Sequence, residues 1–207
     1  MVTVGESTHE RVYNCATLFF PPPPLPTQDC WVDNVQSVVA PFVLGLADGY
    51  NSHLQSGGII FVRSKDSTIQ NCSMGKPQNR GGGGNGYLFE VMRSNHILIK
   101  DCQAEEGRHN FIQNFDFGTS GCVFLRTFSQ KGKAVSLQSD KEGIFGTLGR
   151  SEYHHSLAMG NLVDNSTVLD GWKAANRGSQ SSGAGHTSSQ NVFWNMRGDG
   201  DLVSYQV

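Results

Sequence analysis

The features that would place this chain in the commonest classes are missing. No stretch approaches the roughly 20 apolar residues of a membrane-spanning helix. The Ala, Glu, Lys and Leu abundance of a helical protein is absent from the 207 residues, of which only 16% are charged. No basic run exists to neutralise phosphates, and a formal net charge of −2 argues against nucleic-acid binding. The five cysteines show no Cys-x-x-Cys and no Cys/His metal spacing. Gly81 to Gly84 is no phosphate cradle, because no Lys-Ser/Thr pair follows it. Met1 to Arg11 is polar, with no apolar segment and cleavage site after it, so no secretion signal is legible in the chain.

What is present is a short cassette that returns six times: an apolar residue, a variable one, an Asn, Asp or Thr, and another apolar residue. The copies are Val32-Asp33-Asn34-Val35, Ile69-Gln70-Asn71-Cys72, Ile99-Lys100-Asp101-Cys102, Leu125-Arg126-Thr127-Phe128, Met159-Gly160-Asn161-Leu162 and a degraded Trp194-Asn195-Met196-Arg197. Their starts are 37, 30, 26, 34 and 35 residues apart (69−32, 99−69, 125−99, 159−125, 194−159), the spacing of solenoid coils that carry unequal loops. The apolar residue points inward, its neighbour outward, and the short polar residue serves a tight corner where left-handed dihedrals are needed. Stacked about 4.8 Å apart, such amides bond one another in a ladder. The predicted fold is therefore all-β, a parallel β-helix of about six coils with an asparagine-type ladder.

Coil order is clearest at Tyr87 to Met92, a first strand, followed by a turn, a second strand at His96 to Lys100, a corner at Asp101 and a third strand at Cys102 to Ala104. Residues 1–207 read as one elongated domain, with 1–29 as an initial coil whose Pro21 to Pro24 run forms a stiff loop. Asp201 to Val207 reads as a strand without a polar cap, so the chain reads as a piece of a longer solenoid. Cys72 and Cys102 share a cassette position as buried thiols, and a bridge such as Cys15 to Cys30 remains an alternative.

These strands, corners and unequal loops resemble the right-handed parallel β-helix of the pectate lyase superfamily, over roughly Cys30 to Trp194. Arg108-His109-Asn110-Phe111, Ser151-Glu152-Tyr153-His154-His155 and Ser181-Ser182-Gly183-Ala184-Gly185-His186-Thr187 are also similar to uncharacterised secreted bacterial β-helix proteins. The resemblance implies polysaccharide chemistry at an extracellular or cell-surface location, on the face of the first strands. The family's Asp-rich calcium cluster, Arg-x-Pro-x-x-Arg, and paired aspartates with Gly-His-Gly are all missing. No cofactor is expected on that ground; calcium is left open without a motif.

Placed on the coils, His109, His154, His155 and His186 fall at or just before first strands, where parallel stacking predicts one column joined by Arg108, Asn110, Gln113 and Glu152. β-Elimination in a uronic-acid chain needs a group that neutralises the sugar carboxylate and a base that takes the C5 proton. Arg108 with Asn110 fits the first role; His109 or His154 fits the second, with Tyr153 as proton donor. Because His154 and His155 are adjacent, only one of them faces the groove. Trp172, Lys173 and Arg177 read either as a sugar platform with two cations, or as an inward Trp with solvated cations.

A glycoside hydrolase would draw its two carboxylates from Glu90, Glu152, Asp164 and Asp170. Zinc on His109, His154 and His186 is disfavoured, since stacked strands hold side chains nearer about 5 Å apart than ligation requires. The expected partner is a polysaccharide, with no nucleic acid and no membrane span, and the rival reading is a non-catalytic module that binds glycans or self-associates through its open coil ends.

Overall fold

The structure is a computed structural model that describes residues 11–13, 27–38, 53, 57–78, 80, 84–113, 115, 117–133, 149–198 and 202–205. Most of its strands return repeatedly to the same three sheets, and Ala158–Met159 pairs with Ser188–Ser189 in a fourth. The first sheet holds Ile59–Val62, Tyr87–Met92, His109–Gln113, Ser151–Tyr153, Trp172–Ala175 and Leu202–Tyr205, all parallel. The second stacks Trp31–Asp33, Ser64–Gln70, Asn95–Lys100, Val123–Leu125, Leu162–Asp164 and Val192–Trp194 in parallel. Among the described strands, Arg11–Tyr13 alone joins that sheet antiparallel, against Trp31–Asp33. Ser73–Gly75, Gln103–Glu105, Phe128–Gln130 and Thr167–Val168 form the third. This is a parallel β-solenoid. The Pro21 to Pro24 run and Cys15 lie outside the described residues, as does most of the 1–29 segment.

Register explains the core. In the second sheet Val32, Ile69, Ile99, Phe124, Val163 and Phe193 are aligned neighbours, and the first five are buried. In the first sheet Phe89 and Phe111 stack with ring centroids 5.0 Å apart and planes 13° from parallel. Ser151 is the next rung, and its small side chain lets Phe111 also lie parallel to Trp172 beyond it, at 6.5 Å and 10°. Each large side chain so buried contributes about 1.5–3 kcal/mol. Cys72, Cys102 and Cys122 are buried free thiols of this core.

The corner after the second sheet differs in detail from the sequence expectation. Asp33, Gln70, Lys100, Leu125, Asp164 and Trp194 are aligned, so the corner belongs to Asn34, Asn71, Asp101, Arg126, Asn165 and Asn195. All six have left-handed φ, between 48° and 57°. The fourth, fifth and sixth cassettes were therefore out of register: Arg126, Asn165 and Asn195 hold the corner, not Thr127, Asn161 and Met196. A slip of this kind turns a side chain to the other face. Thr127 and Asn161 point inward, where Thr127 donates to Ser166 Oγ at 2.9 Å and Asn161 Oδ1 accepts the Cys122 N–H at 2.9 Å. The corner column is chemically mixed, with Asn195 donating to Asn165 (3.1 Å), Arg126 paired to Asp101 (2.7 Å) and Asn71 donating to Asp33 (2.8 Å).

Candidate active site

Alternation along the first sheet decides which side chains meet. In Ser151–Tyr153, Ser151 and Tyr153 point into the solenoid, so Glu152 points out, and His154, two residues on, shares its side. The His154 N–H still donates to the Gln113 carbonyl at 2.8 Å, which keeps it on the ladder. Across the sheet Glu152 is aligned with Ile112 on one side and Lys173 on the other, and His109 with Tyr87.

Glu152 is the centre of the resulting cluster. Its carboxylate contacts His154 Nδ1, lies 3.4 Å from His109 Nε2, and is ion-paired with Lys173 Nζ at 3.7 Å and Arg177 Nη1 at 3.9 Å. Arg177 also donates to the His154 carbonyl, at 3.0 Å. The His109 ring is 5.2 Å from His154 and 5.1 Å from Tyr87, whose face carries the Arg108 guanidinium at 5.5 Å. Glu152, His154, Tyr87, His109 and Lys173 are each at most 9% exposed, so these charges act through a low dielectric.

The histidines are neutral for physical reasons. His109 donates Nδ1–H to the Arg150 carbonyl at 2.7 Å, which fixes its tautomer and leaves Nε2 as an acceptor facing Glu152. Burial lowers its pKa to about 3, with Arg108, Arg177 and Lys173 acting in the same direction. Burial, His109 and Arg177 hold His154 well below the ordinary imidazole range. Burial raises the Tyr87 phenol, and the Arg108 charge opposes that rise.

Several expected members of the site are elsewhere. Tyr153 is fully buried against Trp172 and Phe193, so the sheet's alternation removes it as a proton donor on the outer face. Trp172 is a core residue, which rules out the sugar-platform alternative for it. Lys173 is buried beside Glu152, against the solvated reading. Asn110 points inward and donates to Asp170 Oδ2 at 2.7 Å, within a network holding Ser129 and Gly132, so it cannot reach a substrate with Arg108. Gln113 is fully buried in the interior.

His155 turns from His154 and bonds the Ser181 carbonyl at 2.6 Å. His186 is exposed beside Asn176, because the first strand of its coil is Trp172–Ala175 and the chain makes an excursion before the second sheet. The histidine column thus reduces to His109 and His154. Tyr87 is the member that sequence reasoning overlooked, although it opens its strand at the position His109 occupies in the next one.

His109, Glu152 and His154 also offer one ligand atom each within 4.8 Å, the donor set of a two-histidine, one-carboxylate metal triad. The charge around them is wrong for a cation. Lys173 and Arg177 are already paired with the carboxylate, and Arg108 adds a third positive charge. A divalent ion would meet three cations at low dielectric, whereas an anionic group would be attracted.

No protein-family model matches the chain, and neither a curated protein nor a solved structure is found that matches it.

Proposed function

We propose that the chain is a right-handed parallel β-helix of about six coils with a partial asparagine ladder, extracellular or at a cell surface, and that it cleaves uronic-acid glycans by β-elimination. The observation that supports this reading is a neutral imidazole whose tautomer is set by a backbone carbonyl and whose acceptor nitrogen lies beside Glu152 and the two cations paired with it, Lys173 and Arg177. Arg108, with Lys173 and Arg177 behind Glu152, lowers the energy of the carboxylate-stabilised carbanion. His109 Nε2 takes the C5 proton, the pair of the C5–H bond becomes the C4–C5 double bond, and the bond from C4 to the glycosidic oxygen breaks with its pair leaving on that oxygen. Tyr87 O–H protonates the departing oxygen, replacing Tyr153 in that role.

The test is a panel of uronic-acid polymers, followed by ultraviolet absorbance of unsaturated ends and by a reducing-sugar assay. Unsaturated ends, lost in His109→Ala and Tyr87→Phe with the fold retained, support elimination. Reducing ends without unsaturation favour hydrolysis by Glu90 and Glu152, which flank Ile112 in one column and are roughly 10 Å apart at two strand spacings. Neither product removes both catalytic readings and leaves a glycan-binding or self-assembling module.

A further inference from the structure

Phe115 lies just beyond the strand His109–Gln113, and its ring is stacked on the His155 imidazole, centroids 4.4 Å apart and planes 18° from parallel. His155 is a firm support, since it is 7% exposed and anchored by Ser181 O at 2.6 Å and Ser156 Oγ at 3.1 Å. It is also next in the chain to His154, with rings 5.9 Å apart, so the stack adjoins the Glu152 cluster. The Phe115 ring is nevertheless 45% exposed. Its φ of 30° is a conformation that side-chain-bearing residues rarely adopt.

An aromatic ring held beside a polar cluster at a backbone cost, with much of its apolar surface left to solvent, suits a ligand with a flat C–H face and a polar edge. A pyranose has both. We propose that Phe115, seated on His155, is a stacking platform for the sugar that neighbours the one held at His109. This rests on the glycan reading of the site, though not on its catalytic step. It also gives the site the aromatic platform that Trp172, buried in the core, cannot supply.

The experiment uses the whole chain in affinity electrophoresis through gels containing polygalacturonate, alginate or a neutral glucan, together with steady-state kinetics on any polymer that is cleaved. Phe115→Ala is expected to weaken retardation and raise KM roughly 3- to 10-fold, the size of one lost aromatic contact, with kcat nearly unchanged. Phe115→Trp should restore both. Trp194→Ala, which removes an aromatic ring 67% exposed on the second sheet, is the control and should leave both unchanged.

Equal retardation of wild type and Phe115→Ala, or an equal loss in Trp194→Ala, overturns the platform, as does a wild type that no polymer retards. Retardation that depends on Phe115 without any unsaturated product supports the platform and overturns only the lyase reading. Thermal unfolding of each variant at the wild-type midpoint shows that the fold is intact.

Discussion

Acidification should cost this protein stability in a way traceable to one imidazole. In an unfolded chain His109 titrates near its ordinary value of 6.5, whereas in the fold it titrates near 3. Between those values the unfolded chain binds a proton that the native state does not. The contribution is therefore fully present above pH 6.5 and is lost as the pH falls toward 3. At about pH 5 the gap is about 1.5 units, and at about 1.36 kcal/mol per unit the loss is about 2 kcal/mol. His154 shifts in the same direction. Asp170, raised by burial, works the other way, which makes the wild-type slope a sum. His109→Gln isolates the one term. Urea unfolding between about pH 7.5 and about pH 5 should show wild type losing about 2 kcal/mol more than the variant. Parallel pH profiles for the two proteins would refute the claim that His109 is buried as a neutral acceptor.

The inward network makes a second, opposite case. Asp170→Ala strands the Gly132 N–H and takes one acceptor from Asn110 and from Ser129, which keep bonds to Gln130 O and Ser151 Oγ, and should cost about 1–3 kcal/mol in urea unfolding. Asp170→Asn can keep an acceptor toward Asn110 and Gly132 and donate to Ser129, so it should stay within about 1 kcal/mol of wild type. Tyr153→Phe removes a buried hydroxyl without a hydrogen-bond partner, and should leave both stability and turnover unchanged in the same assays. Extended chelation should leave the rate of glycan cleavage unaltered, because Lys173, Arg177 and Arg108 disfavour an ion at His109, Glu152 and His154; a loss restored by one added metal would reverse that conclusion.

Much of the fold was legible because a solenoid writes its period into the chain. Ile69, Ile99 and their flanking corner residues announce inward and outward positions with no knowledge of tertiary contacts. The period failed where two polar residues competed for the corner. Thr127 and Asn161 fit the short-polar rule as well as Asn165 does and better than Arg126 does, and only the register of Leu125 against Asp164 puts Arg126 and Asn165 at the corner. The site was legible in its residue types and in the Glu152–His154 pair, whose spacing of two puts both on one face.

What could not be read locally was the facing of longer-range members. His186 looked like a strand opener, but the chain had already laid down Trp172–Ala175 for that coil. Asn110 sits beside His109 in sequence, yet a carboxylate 60 residues away, Asp170, draws it inward.

The outer column of the first sheet runs Ile60, Glu90, Ile112, Glu152, Lys173. Ile112 is fully buried there, which shows that this stretch of the face takes apolar side chains readily. Placing a carboxylate and an ammonium on the next two rungs costs several kcal/mol of desolvation per ion, a cost their mutual attraction rarely exceeds. If the pair exists for chemistry, the fold should not need it. Glu152→Leu alone removes the carboxylate that both Lys173 and Arg177 face and should lose about 3–5 kcal/mol, whereas Glu152→Leu with Lys173→Met should recover a clear part of that loss, Arg177 keeping its bond to the His154 carbonyl, and still show no activity. The double-mutant cycle is read by urea unfolding and by turnover together. A double variant no more stable than the single one would mean that the ion pair holds the sheet, and the argument that this cluster is kept for catalysis would fail at its first step.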